Sequence, residues 1–198
     1  MLVAGTNNNP ENPLKHKHIM IDLETLGTVA DAVILSIGAV KFDLDSDEMD
    51  NEGFYASVSI DSNMEFRRRI QEDTLIWWLK QSHDAQQVFH EAKQSLPSAL
   101  EELSDWIGDM NFNMWSNGAD FDLPMLSHAY TQIGMETPWK FWNSNCFRTY
   151  KKLPGAKAAV LPNSGVKHNA LDDAVTQVRS LQAIQRALFG SKLAKVKP

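Results

Sequence analysis

The stretch HIMIDLETLGT (18–28), followed by VILSIGAVKF (33–42), decides the architecture of this chain. In the first, Ile19, Ile21 and Leu23 alternate with Met20, Asp22 and Glu24, the two-residue period of a strand. One face is therefore aliphatic, and the other ends in two carboxylates roughly 7 Å apart along the strand. The second stretch is apolar on both faces, the pattern of a strand covered from both sides. A polar connection, DLDSDEMDNEG (43–53), carries six acidic residues and leads into a third strand candidate, Phe54–Ile60.

Working outward, the spacing predicts short amphipathic helices between Asp73 and Gly108 and a short strand over Asn113–Ser116. A helix is expected from Leu123 to Ile133, then an irregular Trp-, Pro- and Gly-rich segment (134–168) with a short helix near Ser144–Lys151. The closing helix, Ala170–Phe189, has Leu171, Ala174, Val175, Val178, Leu181 and Leu188 at helical spacing, with Gly190 expected to stop it. Leading strands, helices, another strand and a closing helix predict an α/β fold, a mixed β-sheet flanked by helices in a single domain. That domain is expected over residues 18–190, between a flexible arm (1–17) and a solvated, Lys-bearing tail (191–198).

Composition narrows the function classes. The chain has 198 residues, 43% of them hydrophobic, enough for one real core. No apolar run reaches the length of a membrane span, and residues 1–17 (MLVAGTNNNPENPLKHK) lack the apolar stretch of a signal peptide. The single cysteine, Cys146, excludes an internal disulfide and fits a reducing cytoplasm. A net charge of −6 argues against broad, charge-driven nucleic-acid binding, though not against an enzyme that grips one strand end.

Three acidic clusters carry chemistry. Asp22 and Glu24, at the end of a covered strand, repel each other and lose hydration, so they call for a cation. Taken alone, the pair also reads as the polar face of a half-exposed strand. In SNGADFDLPML (116–126), Asp122 precedes Leu123 and Pro124, and proline suits a helix's first turn, so Asp122 reads as an N-cap at a strand-to-helix junction. Asp120 is a second cap candidate. In HNALDD (168–173), Asn169 is the N-cap and Asp172 its acidic capping partner, which leaves Asp173 without a structural explanation. The helical wheel alone does not choose between Asp172 and Asp173.

Taken together, the clusters resemble the DEDDh group of 3′→5′ exonucleases, which have an RNase H-like fold. The motif elements are Asp22-Leu23-Glu24-Thr25, then Asn117 through Phe121-Asp122, then His168 to Asp173, and this last spacing selects Asp173 over Asp172. Within the group the chain looks most similar to the bacteriophage exonuclease A and exodeoxyribonuclease VIII-like branch. The phrase IDLETLGT, Thr74 through Trp77-Trp78 to Gln81-Ser82, and Phe141-Trp142-Asn143 through Arg148-Thr149 carry that resemblance. Relatives often have an aspartate where this chain has Cys146.

The resemblance implies that Asp22, Glu24, Asp122 and Asp173 hold two Mg²⁺ ions, with Mn²⁺ as a substitute, and that His168 is the general base. It implies a substrate entered from the 3′ end of single-stranded nucleic acid, DNA ahead of RNA, releasing nucleoside 5′-monophosphates. The alternative is a non-catalytic nucleic-acid-binding module on the same fold, and the feature that separates the two is that all five motif positions are filled here. Thr25, Leu26, Asn117 and Trp77 are the expected substrate contacts, with Leu26 either an apolar wedge against a base or a turn residue beneath the sheet. Leu75, Trp78 and Leu79 are expected to share the apolar face of one helix, leaving Trp77 opposite, packed under a loop, placed in a subunit interface, or stacked on a base. Arg67, Arg68 and Arg69 read as a solvated helix face or as phosphate contacts. Exposed aromatics are compatible with a homodimer, and no membrane partner is expected. The setting expected is the cytoplasm, that of a host bacterium if the protein is phage-encoded.

Overall fold

The computed structural model describes residues 17–108, 111–163 and 165–193. Its centre is a five-stranded sheet of β1 (His18–Thr25), β2 (Ile34–Phe42), β3 (Phe54–Ser57), β4 (Asn113–Ser116) and β5 (Ser144–Cys146). The spatial order is β3-β2-β1-β4-β5. The first three strands run antiparallel as a meander, and β4 and β5 join β1 in parallel. Around the sheet lie α1 (Ile60–Glu65), α2 (Glu72–Trp78), α3 (His83–Gln86), α4 (Leu96–Ile107), α5 (Asp122–Gln132), α6 (Phe147–Tyr150) and α7 (Ala170–Leu193). This is the mixed sheet flanked by helices that the strand pattern predicts.

The alternation in β1 separates two cores. Ile19, Ile21 and Leu23 pack on one side with α4 and α5, through Leu100, Leu103, Leu126 and Tyr130. Met20, Val40 and Phe42 face the other side, where Ala174, Val178, Leu181 and Ile184 of α7 cover them. Each large aliphatic side chain so buried contributes about 1.5–3 kcal/mol. Strand β2 is covered on both faces, as its continuous apolar run requires.

Helix α7 comes unusually close to the sheet at Gly38, the cross-strand partner of Asp22. A Cβ at position 38 would lie 2.2 Å from the Ala170 carbonyl carbon and 2.3 Å from the Leu171 nitrogen. Only the missing side chain lets the first turn of α7 rest on the strand backbone beside the carboxylates.

Several local expectations are corrected. Strand β3 ends at Ser57, because Ser59 caps α1, its hydroxyl accepting from the Ser62 amide at 3.3 Å, so Ile60 opens a helix. Residues 144–146 form the edge strand β5 rather than the start of a helix. Gly190 does not end α7, which continues to Leu193, and its φ is not positive as a left-handed terminator would need.

Helix α2 buries only Trp78, while Leu75, Ile76 and Leu79 remain exposed, Leu79 at 72%. Seven residues are too few to lay a stripe on the core, so the helix docks through one ring. Nor do the three arginines share a solvated face. Arg68 is buried, donating from Nε to the Ala32 carbonyl at 2.8 Å and from Nη1 to Gln132 Oε1 at 2.7 Å, and burial pushes its pKa down to about 10. Arg69 pairs with Asp31 at 2.7 Å. The N-terminal arm, apart from Lys17, and residues 194–198 of the tail lie outside the described residues.

Candidate active site

Strand β1 delivers Asp22 and Glu24 to the face covered by α7. Asp122 reaches them from α5: its Oδ1 accepts the Leu23 backbone N–H at 3.1 Å, fastening the second acidic motif to the first. The N-cap expectation for Asp122 is corrected. Phe121 occupies the cap position, and Asp122 is the first helical residue, its carboxylate turned to β1 and only 2% exposed. Asp120 is exposed at the surface.

The first turn of α7 supplies the remainder. Asn169 is the cap, its Oδ1 accepting from the Leu171 and Asp172 amides at 3.1 Å each. Asp172 turns outward to accept from the Val166 amide at 2.7 Å. Asp173 turns inward, and its Oδ2 accepts the His168 backbone N–H at 3.1 Å. His168 has φ +67°, the left-handed region that a side chain rarely adopts, and this bond helps to hold it there. Glu24, His168 and Asp173 each bring a ligand atom within 4.8 Å of the other two.

Burial and mutual repulsion dominate the electrostatics. Burial raises the Glu24 pKa to about 8, reinforced by the charges of Asp173 and Asp122. Burial also raises Asp122, to about 7, against backbone hydrogen bonds and the Arg148 charge, which lower it. Asp22 rises well above the carboxylate range, first by burial and then by repulsion from Asp122, Glu24 and Asp173. Asp173 is raised by burial as well. Burial lowers His168, which keeps the ring neutral at lower pH.

Four carboxylates that resist ionisation together need a positive charge among them. Oxygen donors with one imidazole at the rim suit a hard divalent cation of the Mg²⁺ or Mn²⁺ class, so the residues present fit such an ion.

A cleft of about 640 Å³ opens over this cluster. Of the expected substrate contacts, Thr25, Asn117 and Trp77 line it. Asn117 Oδ1 is buried with no protein partner, so it has an acceptor to offer. The Trp77 ring meets His168 edge-on at 4.9 Å between centroids and is 41% exposed, which places it at the rim rather than under a loop.

Leu26 is corrected as a wedge. It is 1% exposed and packs with Val33, Leu35 and Trp78 beneath the strand end. Gln177 is a site residue that the sequence reading misses: its Nε2 donates to Asp22 Oδ1 at 2.7 Å. It lies four residues after Asp173, on the same helical face, which was the available signal. Cys146 caps α6, its Sγ accepting the Thr149 amide at 3.4 Å.

A family model described as the 3′-5′ exoribonuclease Rv2179c-like domain matches residues 17–185. The exodeoxyribonuclease of Enterobacteria phage T4 is 24% identical over 156 residues, 66% of this chain and 68% of that one. Cell-death related nuclease 4 (CRN-4) superposes with a TM-score of 0.58 at 14% identity over 85% of this chain, which spans only 63% of that protein. The nuclease domain of 3′hExo, a DEDDh family member bound to rAMP, gives 0.55 at 14% identity, covering 86% of this chain and 92% of that one. The RNase domain of the yeast Pop2 protein gives 0.55 at 12%, covering 87% and 77%. These likenesses share the fold. The chain therefore belongs to the Rv2179c-like 3′-5′ exoribonuclease domain family, enzymes that hydrolyse phosphodiester bonds.

Proposed function

We propose that this protein is a divalent-cation-dependent 3′→5′ exonuclease that shortens single-stranded nucleic acid one nucleotide at a time. The observation that carries this is the convergence of three distant segments on one cleft: Asp22, Glu24, His168 and Asp173 line it, and the buried Asp122 accepts the Leu23 N–H between the first two acids. We assign Asp22, Glu24, Asp122 and Asp173 to hold two Mg²⁺ ions, replaceable by Mn²⁺. When bound, such ions supply an activated water and neutralise charge at the scissile phosphate.

The chain's own groups do the rest. His168, held neutral by burial, takes the proton from the attacking water. The new P–O bond forms as the bond to the 3′ oxygen of the preceding nucleotide breaks; that oxygen leaves and is protonated, and a nucleoside 5′-monophosphate is released. Thr25 and Asn117 orient the terminal nucleotide, and Trp77 offers its ring to the terminal base.

DNA is the proposed substrate, supported by the phage relative. An RNA substrate is the second reading, favoured by the family's description. A reducing, cytoplasmic setting suits the free thiol of Cys146, and among the described residues no helix is long and apolar enough to cross a membrane. A homodimer is supported by the exposed rings of Phe141 and Trp142, and sedimentation would check it.

The deciding experiment incubates 3′- and 5′-labelled single-stranded DNA and RNA oligonucleotides with Mg²⁺ and with EDTA. Loss of the 3′ label as mononucleotide, only with Mg²⁺, is the expected result. Internal cleavage, release from the 5′ end, or equal hydrolysis in EDTA would overturn the proposal.

A further inference from the structure

Beside the carboxylate cleft lies a second groove of about 550 Å³. Thr28 and Phe121 line both spaces, so the two are continuous along the surface. The groove has a different character. Arg148 and Lys152, from α6 and the turn after it, are exposed along it, and Asp120 is the acid among its lining residues. Among the described residues neither cation is in an ion pair.

The Arg148 guanidinium lies over Gly118, with Nη2 3.6 Å from where a Cβ would sit, and its charge is felt at Asp122. In a chain of net charge −6, two exposed cations outside any close ion pair among the described residues stand next to the acidic cup. A strand whose 3′ end occupies the cup has to leave it past one of the cup's borders. At this border the lining carries two exposed cations, Arg148 and Lys152, which attract phosphate.

We propose that this groove binds the phosphodiester backbone upstream (5′) of the bond being cut, with Arg148 and Lys152 as its phosphate contacts. This rests on the exonuclease reading for its direction, and it assigns the groove to the body of the strand rather than to its terminal nucleotide. Phosphate contact by Arg148 and Lys152 is independent of base identity, so the groove favours length over sequence. Exchange of either cation should weaken long substrates and spare the mononucleotide.

The chain carries its own reporter, because its single cysteine, Cys146, is half-buried in the wall of this groove. The test uses a 5′-fluorescein single strand of about ten nucleotides, roughly the site size of one single-strand-binding domain, with phosphorothioate linkages at its 3′ end. Saturating strand should slow iodoacetamide alkylation of Cys146 several-fold, and a nucleoside 5′-monophosphate should not.

In the Arg148→Ala/Lys152→Ala double variant, the strand's Kd by anisotropy should rise about tenfold, the scale of lost charge-assisted contacts. Its log Kd against log salt slope should fall by about 1.4, at ~0.7 per phosphate for single strands. The Arg148→Lys/Lys152→Arg variant should keep the slope. Both side chains are exposed, and a melting curve for each variant checks that the fold persists.

Unslowed alkylation at saturation, no binding of the strand, or an unaltered salt slope in the double variant would overturn the groove. Protection of Cys146 by a strand whose unmodified counterpart is never shortened would uphold the groove and overturn the exonuclease reading instead.

Discussion

Gln177 Nε2 donates to Asp22 Oδ1 at 2.7 Å, from one helical turn beyond Asp173. The same helix thus supplies one acid to the cup and clamps another that β1 supplies. Gln177 is 8% exposed, and its Oε1 has no protein partner, so the carboxamide also offers an acceptor toward the cleft. Replacing Gln177 with Leu frees Asp22 to rotate. We expect kcat to fall roughly 10- to 100-fold, the scale of a hydrogen bond to a charged group, and Mn²⁺ affinity by calorimetry to weaken. If kcat and Mn²⁺ affinity are both unaltered, Gln177 does not position Asp22.

The raised acid pKa values fix a sign for pH dependence. A carboxyl whose folded pKa exceeds its unfolded value stabilises the fold while protonated, and that contribution is lost as pH rises from the ordinary carboxylate range to the folded pKa. Glu24 at about 8 and Asp122 at about 7 place the window between roughly pH 4 and 8. In EDTA, Tm should therefore fall across this window. Mg²⁺ or Mn²⁺ should raise Tm more at pH 8 than at pH 5.5, where protons compete for the same oxygens. Thermal melts at both pH values would show it, and an equal cation shift at each would contradict it.

His168→Ala should lower kcat by roughly 10²- to 10⁴-fold, the usual range for a general base. Because burial lowers its pKa, the acid limb of the wild-type rate profile should fall below the ordinary histidine value, and the variant should lack that limb. Single-turnover rates from pH 5 to 8, at Mg²⁺ high enough to saturate the site at each pH, measure both. A variant that keeps the limb would leave another group as the base.

Trp77→Ala should raise KM about 5- to 100-fold, as loss of one stacked base does, and Trp77→Phe should restore most of it. The ring also stands against His168, so kcat can fall with it. A KM unmoved by the alanine variant would return Trp77 to a packing role.

Periodicity made β1, β2, β4, the body of α5 and most of α7 legible, and motif spacing picked out the acids that the fold gathers. Periodicity fails where an element is too short to repeat. Strand β5 has three residues, and α1 has six, announced only by the Ser59 cap. Side-chain direction was less legible still. Nothing local tells that Leu26 folds under the strand while Trp77 stands at the rim, or that a guanidinium such as Arg68 finds carbonyls inside. For Arg68 the outcome depends on partners 38 and 64 positions away in the chain, which no short window of sequence contains.

Gly38→Ala tests the contact on which the two halves of the site meet. The new Cβ would collide with the Ala170–Leu171 backbone, which cannot yield by rotating a side chain. We expect a loss of about 1–3 kcal/mol in stability, read by chemical denaturation, and a larger proportional loss of kcat as His168 and Asp173 shift from Asp22 and Glu24. Unchanged stability and turnover would show that the helix has room to spare. The wider consequence concerns evolution and engineering alike: one hydrogen atom in place of a methyl group sets the spacing across which the acids cooperate. A catalogue of inactivating substitutions should therefore include a residue with no reactive group at all.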